Sequence, residues 1–154
     1  MGDTLVKLLA VNDSGDISGL TDQQMDQLPE MVQQISSQMV EFYLDSGFQK
    51  PWIAYVSVFE DKLVGGGAFK SVPFNGQVEI AFYTLPEFEN QGMATATAQA
   101  LIDSAIQADE ELQIMAQTLP EKNASNHLLQ KLGFTFYDVV EHPEDGLVWE
   151  WHLF

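Results

Sequence analysis

Tyr83-Thr84-Leu85-Pro86-Glu87-Phe88-Glu89-Asn90-Gln91-Gly92-Met93-Ala94-Thr95 reads as a strand that runs through a tight turn straight into a helix. Ahead of the turn, Val78, Ile80 and Phe82 alternate with Glu79, Ala81 and Tyr83, the two-residue period of a strand, and Pro86 removes the next backbone donor. After it, Ala94, Ala98, Leu101, Ile102, Ala105 and Ile106 recur at helical spacing. Gly92 and Ala94 keep large side chains out of the turn. Backbone N–H groups over residues 90–95 (Asn90, Gln91, Gly92, Met93, Ala94, Thr95) can then approach an anion closely, helped by the positive end of the helix dipole. The same layout serves ordinary capping or close packing, so the reading turns on what else the chain carries.

A second segment, Gln117-Thr118-Leu119-Pro120-Glu121-Lys122-Asn123-Ala124-Ser125, leads into Leu128-Leu129-Gln130-Lys131-Leu132-Gly133-Phe134. The end of the chain reads Pro143-Glu144-Asp145-Gly146-Leu147-Val148-Trp149-Glu150-Trp151. Together these segments resemble the GNAT N-acetyltransferase superfamily, in the branch containing ribosomal-protein N-acetyltransferases. The acetyl-CoA loop of that family follows Q/R-x-x-G-x-G/A, and Gly92 and Ala94 fill its last two defined positions. The resemblance covers residues 76–151; the first half of the chain matches in layout.

Composition sets bounds independent of that likeness. With 154 residues the chain fits a single domain over 1–154, large enough to bury roughly two-thirds of its unfolded surface in one core. No window offers the run of about 18 apolar residues that a membrane helix needs, and no basic segment followed by an apolar one opens the chain, so a cytoplasmic protein is expected. The absence of cysteine excludes disulfides, a Cys-based zinc site and a cysteinyl acyl-enzyme. Acyl transfer would go directly from donor to acceptor, or through another nucleophile. The formal charge of −17, from 23 acidic residues against six lysines and no arginine, speaks against nucleic acid as a partner. Spread along the chain, these charges make a solvated surface, and an acidic rim of this kind also attracts a cationic amine.

Val6, Leu8 and Ala10 alternate with Leu5, Lys7 and Leu9 as a first strand. Thr21 with Gln24 forms a capping box, Pro29 divides two helices, and Met31, Ile35, Met39 and Phe42 make a helical stripe that ends near Gly47. Strands follow at 52–59 and 63–72, then an Asn75-Gly76 hairpin into 77–84. Gly65, Gly66 and Gly67, inside a strand pattern, indicate a bulge or a close backbone approach. Beyond the long helix come a strand at 112–118, a helix at about 124–131 with Gly133 as its left-handed C-cap, and closing strands at 134–140 and 147–153. The order β-α-α-β-β-β-α-β-α-β-β is that of the GNAT fold, an α/β (α+β) architecture with a central mixed, mostly antiparallel sheet flanked by helices.

In that fold the strand before the loop and the strand ending near Thr118 diverge, so the pantetheine arm of acetyl-CoA can pair with the first as an added strand would. The resemblance implies that Phe82, Tyr83 and Thr84 contact this arm, the 90–95 turn the pyrophosphate, and Asn123 the arm or the acceptor. Glu89 stands where the family has Arg or Gln and brings negative charge towards the phosphates. Direct transfer needs a neutral amine, and an alkylamine of pKa near 10.4 is neutral about once in 2,500 molecules at pH 7, a handicap of roughly 4.6 kcal/mol. Glu79, on the strand before the loop, is one candidate base, and the resemblance implies a second, Glu144, in the last loop. By resemblance, Ser125 hydrogen-bonds the departing thiolate. The Tyr that many relatives use as acid is matched here by Leu129, leaving Tyr83 or Tyr137 as substitutes if the fold brings one close. His127 and His142 lack metal-ligand spacing, and no metal is expected. These features imply an acetyl-CoA-dependent N-acetyltransferase acting on a primary amine, a protein N-terminus or a small cationic amine. The alternative is a GNAT-fold module that binds acyl-CoA or a protein without turnover. The exposed last strands of this fold often pair, which leaves a homodimer open.

Overall fold

Period-two alternation folds into strands, and among the described residues seven of them join in one sheet: β1 (Lys7–Ala10), β2 (Ala54–Phe59), β3 (Lys62–Phe69), β4 (Gln77–Thr84), β5 (Gln113–Thr118), β6 (Thr135–His142) and β7 (Gly146–Leu153). The computed structural model describes residues 5–118, 124–144 and 146–153, the side chains of Ser46, Ala124 and Ser125 excepted. The strands lie in the order β1-β2-β3-β4-β5-β7-β6, with β4–β5 the single parallel pair. The helices are α1 (Asp22–Asp26), α2 (Glu30–Ser46), α3 (Met93–Ala108) and α4 (Ala124–Lys131), with a 3-10 turn at Pro86–Phe88. Among the described residues no helix is long and apolar enough to cross a membrane.

Each face of the sheet carries its own core. On one, Leu101, Ile102 and Ala105 of α3 and Leu129 of α4 pack against Phe69, Val78, Ile80, Ile114 and Trp151. On the other, Val32 and Tyr43 of α2 pack against Leu9, Val11, Ile53, Ala54 and Val56. Small residues on α3, with Ala96, Ala98 and Ala105 all buried, let that helix lie close to the sheet. A buried bond from the Thr97 hydroxyl to Ser57 Oγ, 3.0 Å, fixes where it lies.

The capping box forms as read: Gln24 N–H donates to Thr21 Oγ1 at 3.1 Å, and Thr21 N–H to Gln24 Oε1 at 2.9 Å. Gly133, at φ 98°, closes α4 with the Phe134 N–H donating to Leu129 O. Of its two expected roles the Gly65–Gly67 run serves the close approach, with the bulge beside it at Val64. A bulge displaces the register between Ser57 and Val58 opposite it, and a Cβ on Gly66 would stand 2.6 Å from the Tyr83 hydroxyl. A Cβ on Gly67 would stand 2.6 Å from Leu101 on the opposite face.

Several boundaries differ from the sequence reading, three of them inside the sheet by two residues or more. β2 starts at Ala54, two residues late, because a bend follows Pro51; β3 ends at Phe69 rather than 72; and β6 extends to His142. More consequentially, the buried stripe of α2 is turned by about one position. Met31 is exposed, and the residues facing the sheet are Val32, Ser36 and Tyr43, with Ile35 and Met39 partly covered. Apolar periodicity pointed to Met31 because the true stripe contains a serine.

Candidate active site

β4 and β5 are paired only from Gln77–Gln113 to Glu79–Met115. Beyond that point β4 stays with β3, a bond from Leu85 N–H to Val64 O (2.8 Å) continuing the association, while β5 follows β7 as far as the Thr118–Trp149 pair. The strands therefore fork, and the edge of β4 over residues 80–84 faces the gap with its main-chain groups unpaired by β5. The β5 arm is anchored by Thr118, whose hydroxyl accepts a bond from Trp151 Nε1 (2.9 Å) and donates one to Asn126 Oδ1 on α4. That contact sets the start of α4 at the mouth of the fork.

A cleft of about 640 Å³ opens there, within the range of small-molecule sites. Phe82, Tyr83 and Thr84 line it from β4, Phe88, Glu89 and Asn90 from the turn, Gly92, Met93, Ala94 and Thr95 from α3, and His127, Leu128 and Lys131 from α4. The turn is shaped by two left-handed residues, Asn90 at φ 62° and Gly92 at φ 82°. Both types tolerate that conformation better than others do. Gly92 is the N-cap of α3 and supplies no side-chain acceptor, and the first bond of the helix runs from Ala96 N–H to Gly92 O. The amides of Met93, Ala94 and Thr95 consequently face the cleft uncapped, beside the positive end of a 16-residue helix. Gln91 turns away, its side chain donating to Glu87 O at 3.1 Å.

The residues fit a phosphorylated, amide-bearing arm. Among the described residues Thr84 Oγ1 is buried at the cleft with no hydrogen-bond partner, and Lys131 is the one lysine of the lining. Glu89 lines the same cleft and is exposed to solvent. Tyr83 lies in the cleft wall with its ring over Gly66, and burial pushes its phenol up to about 12, so it stays protonated and can donate a hydrogen bond.

The other residues anticipated from sequence are distributed more widely. Glu79 lies outside the cleft lining, four residues before Tyr83 and so about 13 Å along β4, in an ion pair with Lys70 Nζ at 3.0 Å. Glu144 is exposed in the turn after β6, its N–H donating to His142 Nδ1 at 3.1 Å. Asn123 and the side chain of Ser125 lie outside the described residues. Leu129 is buried in the core, and Tyr137, on edge strand β6, stacks on His152 with ring centroids 4.0 Å apart. Sequence reasoning passed over Phe88, His127, Leu128 and Lys131. The four-residue spacing of His127 and Lys131 on α4 was the available signal, since it places both on one helix face. It also passed over Glu150, which meets buried His152 at 2.8 Å. Strand pairing aligns His152 with Met115 and Met115 with Glu79, so this couple shares a sheet face with Glu79.

Comparison with known proteins agrees with this architecture. Residues 9–135 match the acetyltransferase (GNAT) domain family. No curated protein gives a significant match. Among solved structures, RimL, a ribosomal L7/L12 alpha-N-protein acetyltransferase in complex with coenzyme A, is similar with a TM-score of 0.68 and 15% identity, over 98% of this chain and 94% of that one. The Salmonella typhimurium acetyltransferase that modifies the N-terminal serine of 50S ribosomal subunit protein L7/L12 gives 0.67 and 16%, over 98% and 95%. The spermidine/spermine N-acetyltransferase SpeG from Vibrio cholerae gives 0.61 and 16%, over 77% and 75%. At such identities the likeness is one of fold, and the family match over most of the chain carries the assignment: with the forked sheet and the uncapped helix at its mouth, this chain belongs to the GNAT acetyltransferase family.

Proposed function

We propose that the protein moves an acetyl group from acetyl-CoA to a primary amine by direct attack within a ternary complex. The observation that carries this reading is the fork itself, an unpaired strand edge at 80–84 with an orphaned Thr84 hydroxyl, opening onto the uncapped N-terminus of α3. β4 would hold the pantetheine amides as a neighbouring strand does, and the amides of Met93, Ala94 and Thr95, with Lys131, the pyrophosphate. Acetyl-CoA supplies an activated thioester and, without arginine in the chain, these amides and the helix dipole carry most of its phosphate recognition. Each charge-assisted N–H bond contributes about 1.5–3 kcal/mol.

Ser125, in the first turn of α4, is proposed to hydrogen-bond the departing thiolate, and Asn123 to steady the arm or the acceptor. The Tyr83 phenol is the described donor nearest in kind to the acid that Leu129 cannot be. Glu79 and Glu144 are the proposed proton acceptors, acting through water given the length of β4 between Glu79 and Tyr83. Edge strand β6, exposing Phe136, Tyr137 and Val139, supports pairing in a homodimer.

Release of free CoA from acetyl-CoA, followed across a panel of amines and N-terminal peptides, tests the reading. Amine-dependent release is expected, and Ser125→Ala should lower turnover more than acetyl-CoA affinity. Acetyl-CoA binding with no turnover on any amine overturns it in favour of a non-catalytic acyl-CoA-binding module, the second reading that Glu89 in the cleft and Leu129 in the core favour.

A further inference from the structure

Under α2, on the sheet face opposite α3, lies a second cavity of about 160 Å³. Ile35, Ser36 and Met39 of α2 roof it and Ala68 and Ala81 of the sheet floor it, with Val11 and Tyr55 at its sides. Among the described residues no charged side chain lines it. The Tyr55 hydroxyl is already committed to Pro51 O at 2.7 Å. Ser36 is different. It is 6% exposed in the middle of a 17-residue helix, and its hydroxyl has no hydrogen-bond partner among the described residues. A serine there ordinarily faces water or bonds the carbonyl one turn back, and an orphaned buried hydroxyl calls for an explanation.

The position of the cavity supplies one. Phe82 and Tyr83 line both this cavity and the donor cleft, so the same pair of β4 residues walls the two spaces. A side group reaching under α2 from an amine in the cleft would pass along this pair. Apolar cavities of roughly 150 Å³ stay dry and accept a benzene-sized guest, which sets the size of that group.

We propose that this cavity is the side-group pocket of the acceptor, and that the acceptor is an amine bearing a benzene-sized apolar group with one hydrogen-bonding atom, held by Ser36. The proposal rests on the acetyl-transfer reading above. It also separates the two acceptor classes that the sequence left together: the acidic surface would draw any cation, but a cavity without a carboxylate offers a polyamine nothing to pair with its second charge.

The test compares kcat/KM for tyramine, phenethylamine and spermidine, and for peptides beginning with Tyr, Phe or Ser. The hydroxylated aryl acceptors should be preferred over their unhydroxylated partners by about tenfold, the value of one well-formed hydrogen bond. Ser36→Ala should bring that ratio close to one through the acceptor KM; it deletes only an unpaired hydroxyl, so the fold survives. Ala81→Leu, which fills the floor of the cavity, should turn away both aryl amines. Preference for spermidine or for a serine N-terminus, unchanged in Ser36→Ala, overturns the pocket while leaving acetyl transfer standing. No acetylation of any amine overturns acetyl transfer and the pocket with it.

Discussion

Removing one oxygen from Tyr43 should cost the protein a large part of its stability. The Tyr43 hydroxyl donates to Val11 O at 2.8 Å and accepts from Ala54 N–H at 2.9 Å, both bonds buried. It thus stands in for a missing rung of the ladder where the chain leaves β1, and it ties α2 to β1 and β2 at once. In Tyr43→Phe the ring keeps its packing, including the edge contact with Phe48 at 5.0 Å, while a buried N–H and a buried C=O lose their partner together. Leaving a buried polar group unsatisfied costs about 1–3 kcal/mol, so the pair amounts to about 2–6 kcal/mol, against the 5–15 kcal/mol of a typical domain. Urea denaturation of the two proteins measures the difference as a shift in midpoint at constant slope. Val11 and Ala54 also wall the cavity under α2, so the acceptor KM should rise with the loss. A destabilisation below about 0.5 kcal/mol would show that water or a small backbone shift replaces the hydroxyl, and the argument for Tyr43 as the strut of α2 would fall.

Gly92→Ala should lower stability by about 1–2 kcal/mol, because an L side chain at φ 82° is strained, and should raise the KM for acetyl-CoA; unchanged values in both would show the turn relaxing into another shape. Lys131→Ala should weaken acetyl-CoA binding several-fold at low salt, about 1 kcal/mol for a charge pair near 4 Å in water, and Glu89→Gln should strengthen it by a comparable factor, calorimetry at two ionic strengths being the check. Stability should also fall at high pH. Burial raises the phenols of Tyr43, Tyr55 and Tyr83 above 10, the latter two to about 12, so the fold favours their neutral forms; that stabilisation is complete below pH 10 and is lost as pH rises from 10 towards 12. Denaturation midpoints across that window, with phenolate absorbance followed in parallel, measure the decline.

The β4-turn-α3 segment was legible because each of its steps is local: alternation makes the strand, Pro86 and Gly92 make the turn, and small residues at helical spacing make α3. Phe82, Tyr83, Thr84 and residues 92–95 line one cleft because contiguity alone brings them there. His127 and Lys131 enter it through the packing of α4 on the far arm of the fork, which depends on Thr118, Trp151 and Asn126 meeting in three dimensions. Ser36 was hidden for a different reason. Pattern reading assigns the buried face of a helix to its apolar residues, so a buried serine is mistaken for solvent-facing and the whole stripe is rotated to suit.

The fork has a mechanical meaning as well as a chemical one. Four strands on one side and three on the other are stitched together by only three facing residue pairs, 77–79 with 113–115. Hydrogen exchange at 77–79 and 113–115 tests whether the two halves open along this seam. A donor lying against β4 acts as mortar in that seam. Binding should therefore stiffen the molecule across its full width, coupling the arrival of acetyl-CoA to the rigidity of the α2 roof on the other face.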